Sequence, residues 1–372
     1  MGFWRPGRSE IVIVARNLTK TSVVVAAVAC LLLPADAAAG IVYSVTDLGL
    51  LPGGGAAAAS GISSNGYATG SGDTAAAASR PFLWSPGAGI SSVGESWLAF
   101  GTGVNSSGVV VGYQYAEDFS AYRAFTGDTL LPTLGGGNNA AMGINNAGAV
   151  VGYSDTATGA EQAFLFFGGT AVALGALAVG GSSRANAINS SGNIAGQFDA
   201  GDGLLHPALY TNGAWVGLDI PSEFDSGYAS AISDAGHVAG AFTSASGRSM
   251  GFLRSGSGSV ILLGSLSPDG NSRAEGVNSG GIVVGASDGD AFLYDGAVHD
   301  LNALLVGSPG WVLTDASAIN DAGQIAGTGY RDGAQHAFLL NPENDVPEPA
   351  SVALVLGGLL AALTCLRKEK KS

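Results

Sequence analysis

An all-β ring of seven blades is the fold this sequence predicts, on three observations. A ten-residue phrase recurs seven times at near-constant spacing. Each copy is followed by the same succession of short apolar strands, and the strand missing after the last copy stands ahead of the first.

The phrase reads GISSNGYATG (61–70), GVNSSGVVVG (103–112), GINNAGAVVG (143–152), AINSSGNIAG (187–196), AISDAGHVAG (231–240), GVNSGGIVVG (276–285) and AINDAGQIAG (318–327). Its aliphatic second residues, Ile62, Val104, Ile144, Ile188, Ile232, Val277 and Ile319, are separated by 42, 40, 44, 44, 45 and 42 residues. A period of this length marks a repeat architecture. Within each copy an apolar residue precedes Asn or Ser, two turn residues follow, and a Gly comes three after the Asn or Ser. A short polar side chain bonds turn amides, and Gly takes positive φ at little steric cost, so each copy predicts a β-hairpin. The second strand ends on a further Gly, Gly70 through Gly327, which suggests close strand packing near a crowded axis.

A third strand follows at PFLW (81–84), AFTG (124–127), AFLF (163–166), PALY (207–210), GFLR (251–254), AFLY (291–294) and AFLL (337–340). Its second residue is large and apolar in six copies, Ala208 being the exception. Short fourth strands follow units one to six, as at 129–134, 171–174 and 298–301, whereas the chain turns polar at Asn341 after unit seven. Tyr43-Ser44-Val45-Thr46-Asp47-Leu48-Gly49 has the fourth-strand pattern and precedes unit one. A seven-bladed β-propeller over 41–341, closed by this N-terminal strand, accounts for the displacement and leaves no unpaired edge. A β-solenoid is the alternative, but its coils are usually about half this length and it would be capped instead.

Both ends differ from the body. Arg5, Arg8, Arg16 and Lys20 precede the apolar run Thr21 to Pro34, and Ala35 and Ala37 offer the small residues of a cleavage site, so 1–37 reads as an export signal peptide. At the other end, a linker at 342–350 carries Pro347-Glu348-Pro349, an apolar helix is expected at 351–366, and Arg367, Lys368, Lys370 and Lys371 form a basic tail at 367–372. The apolar run from Ala350 to Leu366, at 1.5 Å per residue, reaches roughly 25 Å, enough to cross a bilayer core with the basic end cytoplasmic. This order resembles the PEP-CTERM sorting signal of Gram-negative bacteria. The resemblance implies processing by an exosortase-type membrane protease, transient anchoring in the inner membrane, and a destination at the cell surface or outside it, in organisms that make extracellular polysaccharide.

Asp47-Leu48-Gly49, the G-I-N-x-x-G-x-V-V-G phrases and His336-Ala337-Phe338-Leu339 resemble the HAF extracellular-repeat family. Only unit seven keeps the full His-Ala-Phe triplet; Arg80, Arg123, Gln162, His206, Met250 and Asp290 hold its first position elsewhere. The resemblance implies an exported repeat protein and no established activity.

Composition narrows the chemistry. Cys30 and Cys365 both lie in the end segments, so the body has no thiol for a disulfide or a Cys-based metal site. From Ala38 to Leu366 there are seven Arg, no Lys and 26 Asp plus Glu, a balance of −19 that argues against nucleic acid or anionic lipid as partners. His206, His237, His299 and His336 fall at different places in their repeats and show no metal-binding spacing. Asp199 with Asp202, and Asp288 with Asp290, lie in loops between second and third strands. They are candidate Ca²⁺ ligands and candidate acid–base carboxylates, with turn chemistry as the plainer reading. Trp97, Tyr113, Tyr115 and Trp215 are candidate sugar-stacking rings, or else blade packing. The expectation is therefore a non-enzymatic binding or structural module of the surface or matrix that engages polysaccharide or other envelope components, with no required cofactor. A secreted glycan-active enzyme using loop carboxylates is the alternative.

Overall fold

Every recurring phrase folds as the hairpin joining the two innermost strands of a blade. In blade 3, Gly135–Ile144 runs into Val150–Thr156. Between them Asn145 Oδ1 accepts the amides of Ala147 and Ala149 at 3.1 and 3.0 Å. The seven glycines that close these turns, Gly66, Gly108, Gly148, Gly192, Gly236, Gly281 and Gly323, all sit at φ between 77° and 82°. An L side chain there would be strained, which is why the turn keeps Gly.

The computed structural model describes residues 41–344 apart from 177–179 and 257. The expected signal segment, Pro347-Glu348-Pro349, the helix at 351–366 and the basic end lie outside the described residues. Among the described residues no helix is long and apolar enough to cross a membrane. They form seven four-stranded sheets, and in six of them the strands follow chain order from the inside outward. The seventh is completed by Ile41–Asp47, which lies outermost beside Ala334–Asn344, with Ile325–Arg331 and Trp311–Ile319 further in. The ring is a seven-bladed propeller closed by its N-terminal strand, as the displaced segment predicts.

One irregularity recurs in all seven blades. The inner strand bulges against the second strand at the residue before the phrase: Ser60, Thr102, Met142, Asn186, Ser230, Glu275 and Ser317 each fall inside a register shift. A bulge leaves its extra residue unpaired and re-aims its side chain, and here all seven line the axial channel.

The bulge also explains the second recurring Gly of each phrase. A Cβ at Gly152 would collide with the carbonyl oxygen of Ala140 beside the bulge, and Gly70, Gly112, Gly196, Gly240, Gly285 and Gly327 face the equivalent oxygen. The glycines are thus required inside the blade, not by crowding at the axis. Directly opposite each one stands the large residue of the third strand: Phe82, Phe125, Phe164, Phe252, Phe292 and Phe338. At Gly112, Gly240, Gly285 and Gly327 the ring lies 2.5–3.0 Å from where a Cβ would be, and all six phenylalanines are buried, each worth about 2–3 kcal/mol of apolar burial. Blade 4 has Ala208 opposite Gly196. There Trp215 swings in from the outer strand, its Cη2 lying 3.1 Å from where a Gly196 Cβ would be. A missing ring on one strand is replaced by a ring on the next.

Neighbouring blades are tied by two hydrogen-bonded belts. In the lower belt, at the recurring hairpins, Asn145 Nδ2 donates to the Asn189 carbonyl (3.1 Å), Asn189 to Ser233 (3.0 Å) and Asn320 to Ser63 (3.0 Å), with longer links from Asn105 to Asn145 and Asn278 to Asn320. The upper belt uses the bulge residues: Ser60 Oγ donates to Gly101 O (2.7 Å), Thr102 to Ala141 (2.9 Å), Asn186 to Ala229 (2.8 Å), Ser230 to Ala274 (2.7 Å) and Ser317 to Ala59 (2.9 Å). Ser63 and Ser233 are too short to serve the lower belt, and Met142 and Glu275 donate nothing to the upper one. Because the gaps fall at different interfaces, each pair of adjacent blades keeps at least one link.

Candidate functional site

The end of the ring away from the recurring hairpins, the upper face, carries the residues that depart from the repeat. At the axis a cavity of about 550 Å³ is lined by Met142, Asn186, Gln197, Tyr228, Glu275 and Asp315 among others. Arg273, two residues before Glu275 on the inner strand of blade 6, donates from Nε to Glu275 Oε1 at 2.8 Å and from Nη2 to Asp315 on blade 7. Burial in the channel pushes the Glu275 carboxyl up to about 7, the negative charge of Asp315 adds to this, and Arg273 opposes it. Burial likewise lifts the Tyr228 hydroxyl to about 12, with Glu275 contributing. The funnel therefore holds one carboxyl that titrates near neutrality beside an Arg–Asp pair. Glu275 departs from the small polar residues at most bulges, and that irregularity is its only mark in the sequence.

Further out, an aromatic ridge crosses the top of blade 2. Tyr113 and Tyr115, two apart on the second strand Val110–Tyr115, share one sheet face with Tyr122, which pairs directly with Tyr115. Centroid separations are 6.0 Å for Tyr113–Tyr115, 5.7 Å for Tyr115–Tyr122 and 5.3 Å for Tyr113 with Phe100. From Tyr115 the ridge continues to Phe119 (6.1 Å) and then to Trp97, whose ring meets Phe119 edge-on at 5.2 Å. Toward blade 3 it meets Tyr153, over whose ring Arg184 lies at 4.7 Å while pairing with Glu161. Burial raises the hydroxyls of Tyr113, Tyr122 and Tyr153, so all three are neutral donors at physiological pH.

Phe119 occupies the tip of the loop between second and third strands, 59% exposed and at φ 58°. A non-Gly residue held there costs of order 1–3 kcal/mol and persists only where its surroundings fix it. Here Phe119 N–H closes a turn on Ala116 O (3.0 Å), and Asp118 Oδ1 accepts both the amide (3.0 Å) and the hydroxyl (2.6 Å) of Ser120. Beside the ridge, between blades 1 and 2, runs a groove of about 740 Å³ lined by Trp97, Tyr115, Glu95, Glu117, Phe125 and Asp128 among others. It stays open partly because the outer strand of blade 2, Thr129–Leu130, is only two residues long.

The expected sites resolve unequally. Trp97, Tyr113 and Tyr115 come together; Trp215 does not, being buried in blade 4. Asp199 and Asp202 lie in blade 4, and Asp288 and Asp290 in blade 6. Asp199 Oδ1 accepts the amides of Gly201 and Gly203, Asp202 binds the Leu204 amide and His206, and Asp288 accepts the Asn271 amide. The Asp199 and Asp202 amide bonds build a turn, Asp288 ties its loop to Asn271, and Asp290 is an exposed strand end. Among the described residues no three His, Cys, Asp or Glu gather as metal ligands.

The two short motifs at the extremes of the ring meet at its closure. Asp47 Oδ1 contacts His336 Nδ1 at 3.1 Å and accepts the Gly49 amide at 2.8 Å, while Oδ2 accepts from Arg331 at 2.7 Å. Leu48 N–H donates to Ala337 O. Burial alone would raise the Asp47 carboxyl, but the Gly49 amide, Arg331 and His336 outweigh it and hold it below the usual range. His336 thus serves the latch between first and last strands.

Comparison with known proteins leaves the fold resting on the strand topology. No protein-family model matches the chain, and no curated protein matches it. Among solved structures, a Xanthomonas campestris gluconolactonase aligns with TM-score 0.40 and 11% identity over 81% of this chain and 90% of its own. TolB from Acinetobacter baumannii gives 0.38 and 12% over 83% and 65%. AofleA from Arthrobotrys oligospora gives 0.31 and 13% over 82% and 93%. At these values none of them bears on activity.

Proposed function

We propose that this chain is an exported protein of the bacterial cell surface or extracellular matrix, in which the propeller is a non-enzymatic module that binds polysaccharide on its upper face. The observation that carries the reading is the aromatic ridge, with an exposed Phe119 held at positive φ beside an open groove. Flat rings fixed in place at low entropic cost suit the apolar faces of pyranose rings, and the acidic surface argues against nucleic acid. Export by the 1–37 segment, sorting at Pro347-Glu348-Pro349 by an exosortase-type protease, and transient membrane anchoring by 351–366 are the route that the terminal segments support. Retention of the purified protein on the producing organism's own matrix polymer tests the binding claim, and absence of any retention ends it.

A glycan-active enzyme is the second reading, and the funnel is the observation in its favour. Asp199 and Asp202 hold turns, but Glu275, a carboxyl raised by burial, shares Arg273 with the carboxyl of Asp315, two carboxyls side by side as in acid–base pairs. If the protein turns over no polysaccharide, or turns it over equally well as Glu275→Gln, this reading is dropped.

A further inference from the structure

We infer that the groove beside Trp97 selects a cationic glycan, a polymer of amino sugars with free amines, over neutral or anionic ones. The inference rests on the polysaccharide reading above and adds the charge class of the ligand.

Two independent features of the groove lead there. The first is its charge. Glu95, Glu117 and Asp128 line it, and Asp118 adjoins Glu117 on the loop that carries Phe119. Glu95 is paired with Arg80 at 3.1 Å. Glu117, Asp118 and Asp128 make no ion pair among the described residues. The hydroxyl and amide of Ser120 hold the Asp118 carboxyl below its usual range. With the body at −19 and no Lys in it, a uronic acid polymer would meet like charge along the whole groove.

The second feature is the aromatic wall. Trp97 and Tyr115 line the groove, and the neighbouring Phe119 stands perpendicular to Trp97, with centroids 5.2 Å apart and interplanar angle 89°, and 6.1 Å from Tyr115. In the perpendicular contact one ring's edge covers part of the other's face, but Phe119 stays 59% exposed, and an exposed ring face attracts an ammonium group approaching within about 6 Å. Glu117, which lines the groove with Trp97 and Tyr115, supplies the counter-charge such a group needs. A neutral sugar would use the ring faces and leave Glu117 without a role. A pyranose bearing a free amine engages both.

The test is titration calorimetry on the full chain with five probes at about pH 6, where sugar amines are charged: glucosamine hexamer, its fully N-acetylated form, cellohexaose, a hexagalacturonate and hexalysine. Glucosamine hexamer is expected to bind about tenfold more tightly than the acetylated hexamer or cellohexaose, with hexagalacturonate not binding. That preference should shrink as salt rises. Glu117→Gln with Asp118→Asn should remove the preference while keeping neutral-sugar binding. Trp97→Ala should weaken every glycan, with an unchanged melting curve showing that the ring is intact. Equal affinity for acetylated and free hexamers overturns the cationic inference and leaves the polysaccharide reading standing. No binding by any glycan overturns both. Hexalysine binding as tightly as the amino sugar, and indifferent to Trp97→Ala, also overturns the inference, since charge alone would then suffice.

Discussion

The lower face of the ring repeats and the upper face does not, and the contrast separates what builds this molecule from what it presents. Below, seven hairpins share the same turn, the same positive-φ Gly and, in five blades, the same Asn amide reaching to the next blade. Above, blade 2 carries the aromatic ridge, blades 6 and 7 share the Arg273 funnel, and blade 7 holds the Asp47 latch. Repetition is costly to vary because each copy fits against two others. Departures accumulate where loops answer only to solvent or ligand.

The largest expected break in that contrast comes from one methyl group. Gly152→Ala drives a Cβ into the Ala140 carbonyl beside the bulge and should destabilise by about 3 kcal/mol or more. Gly137→Ala, in the same blade's inner strand but toward the upper face, meets nothing within 4 Å and should stay within about 0.5 kcal/mol. Urea unfolding of the two variants side by side reads the difference. Similar losses would mean the bulge is not the constraint.

The belts come next. Blades 3 and 4 have the Asn145 link but no bulge donor, because Met142 occupies that position, whereas blades 2 and 3 keep Thr102 beside Asn105. Both asparagines also cap their own turns, so each substitution by Ala costs stability. Asn145→Ala should cost about 1 kcal/mol more than Asn105→Ala. Equal thermal shifts would show that the staggered gaps do not matter.

Closing the ring should depend on acidity. Since Asp47 has a depressed carboxyl in the folded state, its contribution is complete above its unfolded value and is lost as pH falls through the folded one. Asp47→Asn is therefore expected to be about 1 kcal/mol less stable near neutrality, with the gap closing in acid. A gap that persists unchanged at low pH would assign the loss to something other than the charge. The smallest effect belongs to the funnel, with the opposite sign. Glu275 is raised from 4.5 to about 7, so between those values the folded state holds more protons than the unfolded one, and stability falls as pH rises through the window. Glu275→Gln should flatten that slope, by under about 1 kcal/mol given the opening to solvent.

The lower face is largely legible in the sequence, because near-identical residues at a near-constant period leave a signal that position-by-position reading finds. Even the displaced strand at Tyr43–Gly49 can be placed. Two physical roles are not legible. The second Gly of each phrase reads as a response to axial crowding, since nothing in one strand's sequence shows a bulge in its neighbour. The Ala208 exception makes sense only because Trp215, for which the sequence leaves sugar stacking and blade packing both open, fills the same space from the outer strand. The upper face is half legible: Trp97, Tyr113 and Tyr115 stand out as aromatic, but Phe119 and Tyr122 join them only through the fold of one loop. Glu275 and Asp315 lie far apart in sequence and are brought together by Arg273 across a blade boundary, which no local motif encodes.

Two variants compared on one polymer test the central claim most directly. Retention on the organism's own matrix polysaccharide and the melting temperature would be measured together for the Trp97→Ala, Phe119→Ala double variant and for Asn145→Ala. If the lower face builds the ring and the upper face binds, the double variant loses retention at an unchanged melting temperature, while Asn145→Ala melts earlier and is retained as well as the wild type below its transition. Retention that survives loss of both rings, or that follows the melting temperature in both variants, would contradict it.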